Sequence, residues 1–254
     1  HESLFHHALA EPDRPTVYLR EDDGREETIT YGRLWREASL VAGGLRERGV
    51  GRGDTVALML PTGLDFLRSF QGILAAGAIP VPIYPPLRLD RLEEYAARQS
   101  AILADAGTRT LVTIPRARPI AGMLRAAVPS LAEVTTADDL VATGAIVSGP
   151  EGGGSEPAFI QYTSGSTGSP KGVLLTHGGQ LWNADILRKA LLADDTERAL
   201  IAVPLYHKNA MAGAVKPFLL AGGSLVILPG FDALEVIRAI DRYRVTYLTG
   251  VPAM

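Results

Sequence analysis

The chain contains no cysteine, which excludes disulfides, thiolate metal sites and a cysteine nucleophile, and which suits a reducing, cytoplasmic setting. No apolar run approaches the roughly 18 residues that a membrane-crossing helix needs. No sign of charge dominates. The 25 basic residues stand against 28 acidic ones for a net charge of −3, and no basic block occurs, which argues against nucleic acid as a partner. Two common nucleotide-binding patterns are also missing: no Gly-x-Gly-x-x-Gly follows the first strand, and no Gly-Lys-Ser/Thr closes a Walker-type loop. No basic-then-apolar leader is visible. What is present is a 254-residue chain that is 46% hydrophobic, enough to bury a sizeable core in one large or two ordinary domains.

The most informative stretch is Gln161-Tyr162-Thr163-Ser164-Gly165-Ser166-Thr167-Gly168-Ser169-Pro170-Lys171-Gly172. Apolar runs lead into it (Ala158-Phe159-Ile160) and out of it (Val173-Leu174-Leu175), so it reads as a loop pinned between two strands. Glycines permit positive φ and remove Cβ atoms, letting backbone N–H groups converge, while hydroxyls and Lys171 add donors and a point charge. Such a loop is suited to an anion, and phosphate is the natural guest. A flexible Ser/Gly linker is the plainer reading of such a run, but Pro170-Lys171 and the close apolar flanks disfavour it.

The rest of the chain alternates strand and helix. Residues 3–10 read as a short helix, and Thr16–Arg20 with Glu27–Tyr31 as a hairpin at a sheet edge. Thr30 then caps a helix with Leu34, Ala38, Val41, Ala42 and Leu45 on one face, stopped by Gly49. Strands are expected at Thr55–Leu60, Ile79–Ile83 and Thr110–Ile114, with helices from about Thr62 to Gly77 and over about 90–105. Between Val141 and Glu156 periodicity is lost, and Gly144, Gly149, Gly152, Gly153 and Gly154 mark a mobile connection or sub-domain boundary. Beyond the anion loop, helices at 178–192, 209–221 and 233–243 alternate with strands at Ala199–Val203, Leu225–Leu228 and Val245–Thr249. In the last helix Leu234, Ile237 and Ile240 are expected to face inward. The pattern is α/β with mostly parallel sheets flanked by helices, divided into a first α/β portion at 1–150 and a loop-bearing portion at 151–254.

The run Tyr-Thr-Ser-Gly-Ser-Thr-Gly-x-Pro-Lys-Gly resembles the phosphate loop of the adenylate-forming enzymes: acyl-CoA synthetases, fatty acyl-AMP ligases, peptide-synthetase adenylation domains and luciferases. The resemblance continues through Thr30-Tyr31, Gly53-Asp54-Thr55-Val56-Ala57, Gly77 to Pro82, Pro204-Leu205-Tyr206-His207 and Gly250-Val251-Pro252, and so covers nearly the whole chain. It implies two layered sub-domains packed together with the active site at their junction. It implies ATP and Mg2+ as cofactors, a carboxylic acid, a fatty acid foremost, as substrate, and CoA or an acyl carrier protein as acceptor.

By that resemblance Thr163, Ser164, Gly165, Ser166, Thr167, Gly168 and Lys171 hold the β- and γ-phosphates, Thr163 serves the metal, and Lys171 and His207 carry the catalytic assignment. His207, Ala210, Ala212, Gly213, Gly250, Val251 and Pro252 line the acyl site. No general-base duty falls to His207, because a carboxylate nucleophile needs no deprotonation at pH 7. His177 reads as a capping or surface residue, and Met211, Trp182 and Tyr206 as core or pocket walls.

Phe159-Ile160-Gln161 and Val81 to Pro86 are similar to the fatty acyl-AMP ligase branch. After His207 the likeness weakens, since Lys208-Asn209-Ala210 stands where those ligases carry an acidic residue and then Met-Gly, which leaves acyl-CoA synthetase activity open. The family's later motifs have no counterpart here, and the chain stops just after a strand-like run. It is therefore expected to be the N-terminal part of a longer enzyme, inactive alone. A non-catalytic nucleotide-binding or assembly module formed by this half is the alternative from another class.

Overall fold

A computed structural model describes residues 1–21, 23–86, 91–149, 152–163 and 170–251. In chain order the first elements are α1 (Glu2–Ala10), β1 (Pro15–Arg20), β2 (Glu26–Thr30), α2 (Tyr31–Glu47), β3 (Thr55–Met59), α3 (Leu64–Ala75), β4 (Ile79–Ile83) and α4 (Leu92–Asp105). Next come β5 (Thr110–Thr113), α5 (Arg118–Ala127), β6 (Glu133–Thr136), α6 (Ala137–Thr143), β7 (Pro157–Thr163), β8 (Lys171–Thr176) and α7 (His177–Ala190). The last are β9 (Arg198–Ile201), α8 (Lys208–Ala210), α9 (Lys216–Ala221), β10 (Ser224–Ile227), α10 (Ala233–Tyr243) and β11 (Tyr247–Thr249). Among the described residues no helix is long and apolar enough to cross a membrane.

The architecture is α/β, with mostly parallel sheets flanked by helices. Two compact units divide it: residues 1–36, 61–67 and 178–254 form the first, and residues 37–60 and 68–177 the second. Both sequence portions, 1–150 and 151–254, contribute to each unit. The first unit is interleaved because β1 pairs in parallel with β10, Val17 opposite Leu225, from the far end of the chain.

The first unit holds a five-stranded sheet in the order β11-β9-β10-β1-β2, with only β2 antiparallel. The β1–β2 hairpin therefore lies at an edge of the sheet, as expected. On one face, Leu200, Ala202, Val226 and Leu228 pack against Val236 and Ala239 of α10. Asp232 caps that helix, accepting from the Glu235 amide at 2.9 Å. The expected inward set is corrected here: Leu234, Ile237 and Ile240 are exposed, while Val236 and Ala239 are buried. On the polar flank of the helix Glu235 pairs with Arg20 at 2.6 Å and Arg242 pairs with Glu26.

The second unit holds a fully parallel four-stranded sheet, β4-β3-β5-β6, and the two-stranded antiparallel β7–β8 ribbon. Near-continuous apolar strands such as β3 and β4 are what a parallel sheet covered on both faces requires. Ala57, Met59, Val81, Ile83 and Leu111 bury one face against Tyr95, Ile102 and Leu103 of α4 and Ala121 and Leu124 of α5. Each such aliphatic side chain contributes about 1.5–3 kcal/mol. Thr30 accepts from the Arg33 amide at 3.2 Å, the expected cap of α2, and Gly49 beyond that helix takes φ +77.

The glycine-bearing segment 141–156 lies inside the second unit, not at its boundary, which corrects that expectation. Its start is docked on α2. A Cβ at Gly144 would stand 1.8 Å from the Leu40 carbonyl oxygen, and the Val147 amide donates to Ser39 Oγ at 2.7 Å. Gly144 thus permits close backbone approach instead of loosening the chain.

Candidate functional site

In the second unit, β7 and β8 run antiparallel up to a last described rung in which Thr163 faces Lys171. Both residues are exposed. Among the described residues the Lys171 ammonium has neither an ion-pair nor a hydrogen-bond partner, so a cation is held open at the mouth of the hairpin beside a threonine hydroxyl. Ser164, Gly165, Ser166, Thr167 and Gly168, assigned to phosphate, lie outside the described residues, as does Pro252 of the acyl site.

In the first unit, β9 ends at Ile201, and the chain turns at Pro204 into a helical run that starts with α8 at Lys208. The Leu205 amide donates to Thr62 Oγ1 at 3.1 Å, and the His207 amide to the Pro204 carbonyl at 3.0 Å, which fixes the turn. His207 occupies the N-cap position of α8 and is exposed, with its ring 4.9 Å from that of Tyr206. Residues Met211–Val215 then form a π-helical turn before α9. Single π-turns are rare and recur at functional sites.

The residues assigned to the acyl site differ in burial. Ala210 is fully buried, whereas Ala212 and Gly213 are partly open. Gly213 faces Thr249, which precedes Gly250, so the 207–213 and 250–251 stretches come together although 36 or more residues of other structure separate them in sequence. Their meeting place is the carboxyl end of parallel strands, since Thr249 of β11 pairs with Ile201 of β9. Gly250 and Val251 are exposed there. Met211 is buried as expected, but Trp182 is 69% exposed, a correction: α7 turns Ala184 inward, and two residues earlier the helix points away.

One titratable group escaped the sequence reading. Lys216, directly after the π-turn, donates to Gln180 Oε1, and burial pulls its amine down to about 7. A lysine within the apolar run Met211 to Leu220 was the available signal.

A model of the AMP-binding enzyme family matches residues 4–254. The chain belongs to that family. Similar proteins include a feruloyl-CoA synthase of Amycolatopsis, 36% identical over 231 residues, covering 89% of this chain and 44% of that protein. A long-chain-fatty-acid–CoA ligase of Mycobacterium tuberculosis, FadD13, is 30% identical over 247 residues, covering 94% and 48%. The chain thus spans about half the length of these relatives. Among solved structures, the inhibitor-bound N-terminal domain of FACL13 from M. tuberculosis matches with a TM-score of 0.86 at 28% identity, covering 99% of this chain and 62% of that one.

Proposed function

We propose that this chain is the N-terminal part of an ATP-dependent ligase that adenylates an apolar carboxylic acid, a fatty acid foremost, and passes the acyl group to CoA or a carrier-protein thiol. The observation that carries the reading is Lys171: an exposed cation, without a partner among the described residues, at the mouth of a hairpin whose loop bears the adenylate-forming signature. Two relatives, named for feruloyl-CoA and for long-chain fatty acids, support an apolar substrate, while a third, 32% identical, is named for sulfoacetate.

In the reaction, a carboxylate oxygen of the acid attacks the α-phosphorus of ATP, the bond to the bridging oxygen breaks, and pyrophosphate leaves with the electron pair. Two anions must meet, so positioning and positive charge are what the protein supplies. Lys171 stabilises charge on the polyphosphate, and the hydroxyls and amides from Thr163 to Gly168 hold it. A single threonine hydroxyl suits Mg2+, a hard cation that keeps most of its waters, and Thr163 would hold it. When bound, the ion neutralises phosphate charge. His207, with the Ala212, Gly213, Gly250, Val251 and Pro252 surface, faces the acid. The 254 residues alone are expected to bind ATP without turning it over.

The test is pyrophosphate exchange into ATP by the complete protein, with a long-chain fatty acid, ferulate and acetate offered in turn. Exchange with the fatty acid exceeding that with acetate is the expected result. Exchange with none of them overturns the ligase reading, and exchange with acetate alone overturns the apolar substrate.

A further inference from the structure

Next to the Thr163–Lys171 rung lies a rung of a different kind, Tyr162 opposite Gly172. The Tyr162 ring lies across the glycine. A Cβ built at 172 would stand 3.0 Å from the ring's Cζ, 3.2 Å from its hydroxyl oxygen and 3.1 Å from Ile160 Cγ2. An aromatic ring laid over a cross-strand glycine is a known means of pinning strand register. The same ring reaches further: its hydroxyl donates to Asp105 Oδ2 at 2.5 Å. Asp105 is the last residue of α4, a helix whose Tyr95, Ile102 and Leu103 are sealed into the core of the parallel sheet, and Tyr162 itself packs against that core.

The root of the ribbon is buried through Ala158 and Phe159, and its outer end is tied to the body of the unit by the Tyr162–Asp105 bond, one residue before Thr163 and across from Gly172, one residue after Lys171. Burial and the Asp105 carboxylate both push the phenol upward from its ordinary range, so it stays protonated and donates throughout any assay range. The bond joins a neutral donor to an acidic acceptor, the stronger kind.

We propose that Tyr162 and Asp105 are positioning residues for the phosphate loop, holding the Thr163–Lys171 rung, and so the Lys171 ammonium, at a fixed place over the end of α4. This rests on the ligase reading above. The clamp acts on the polyphosphate side alone. Its loss weakens the response to ATP and leaves the response to the acid unchanged, which a general loss of structure would not do.

The test compares Tyr162→Phe, Asp105→Ala, Asp105→Asn and the double variant Tyr162→Phe/Asp105→Ala with wild type in the complete protein. KM for ATP and for the acid, and kcat, are measured by pyrophosphate exchange. Tyr162→Phe and Asp105→Ala each raise KM for ATP about three- to tenfold, as loss of one charge-assisted hydrogen bond implies. KM for the acid stays put. Asp105→Asn keeps an acceptor oxygen and recovers most of the loss, and the double variant is no worse than either single one. Equal rises in both KM values, or additive losses in the double variant, overturn the proposal, as does wild-type KM for ATP in both single variants. A wild-type protein that exchanges pyrophosphate with no acid would instead overturn the ligase reading. In that case backbone amide exchange at residues 171–173 decides whether the clamp exists: no acceleration in Asp105→Ala removes it.

Discussion

Gly213 and Thr249 face each other, 36 residues apart in sequence: a Cβ on the glycine would rest 3.6 Å from the threonine Oγ1, an ordinary van der Waals contact. Alanine at 213 would therefore fit, whereas leucine would project into whatever space the two segments enclose. In the complete protein, Gly213→Leu should slow adenylation of long acids far more than short ones, at up to ~0.8 kcal/mol for each methylene no longer buried. Relative exchange rates across acids of increasing length are the measurement. A uniform slowing at every length would remove these residues from the acyl channel.

Lys171→Ala removes an exposed charge that has no ion-pair or hydrogen-bond partner among the described residues, so the thermal midpoint should not move. Adenylation should fall steeply, by roughly 2.7–4 kcal/mol of barrier if the ammonium acts as other preorganised transition-state contacts do. Calorimetry and pyrophosphate exchange on the same preparation test both halves. Exchange within about twofold of wild type would sink the assignment.

Two glycines in helices should respond to alanine in opposite directions. At Gly43 of α2 the new Cβ would lie 2.0 Å from the Ala145 carbonyl oxygen, a backbone atom that cannot swing aside. Gly43→Ala should destabilise by about 1–3 kcal/mol or more. Gly122 of α5 has nothing within 4 Å, and Gly122→Ala should stabilise by roughly 0.5–1 kcal/mol through helix propensity and unfolded-state entropy. Urea unfolding midpoints with unchanged m-values check both.

Lys216 makes stability depend on pH with a definite sign. Folded, its amine loses its proton near 7; unfolded, near 10.5. Between those values the unfolded chain binds the extra proton, so stability rises with pH across the window. The cost of the buried charge is full below about 7 and gone above about 10.5. From pH 7 to 9 the gain should be roughly 1–3 kcal/mol, and Lys216→Met should flatten it. A slope unchanged in that variant would show that other groups cause it.

Much of this was legible in the chain. Strand and helix alternation emerged from apolar periodicity, and the ends of Ile79–Ile83 and Ala233–Tyr243 coincide with β4 and α10. What failed was the choice of face on α10. Leu234, Ile237 and Ile240 are the bulkier apolar set, yet Val236 and Ala239 meet the sheet, and Glu235 and Arg242 find partners on β1 and β2. Periodicity reports a stripe; which stripe is buried depends on partners elsewhere in the chain. The elements from 115 to 143 went unseen for a related reason, being short and set by parallel pairing of Thr110–Thr113 with Glu133–Thr136.

For the candidate site the motif itself was readable, because its glycines, hydroxyls and lysine are contiguous. Asp105 was not, since nothing local links a helix-terminal aspartate to a tyrosine 57 residues later. Lys216 was overlooked because one cation in an apolar run looks like a solvated side chain until its surroundings are known.

Synthesis of the chain from its N-terminus meets the interleaving of the first unit as a problem of timing. β1 and β2 leave the ribosome early and can close at once as a hairpin, but the other edge of β1 belongs to β10, whose residues come more than two hundred positions later. The strands of the four-stranded sheet, from Thr55 to Thr136, all emerge in that interval. The second unit can therefore be complete while the nascent hairpin still carries an unpaired edge of main-chain donors and acceptors, the kind of surface that invites aggregation. Slow translation should lengthen that exposure, and the early hairpin, not the phosphate loop, is where a chaperone would have most to protect.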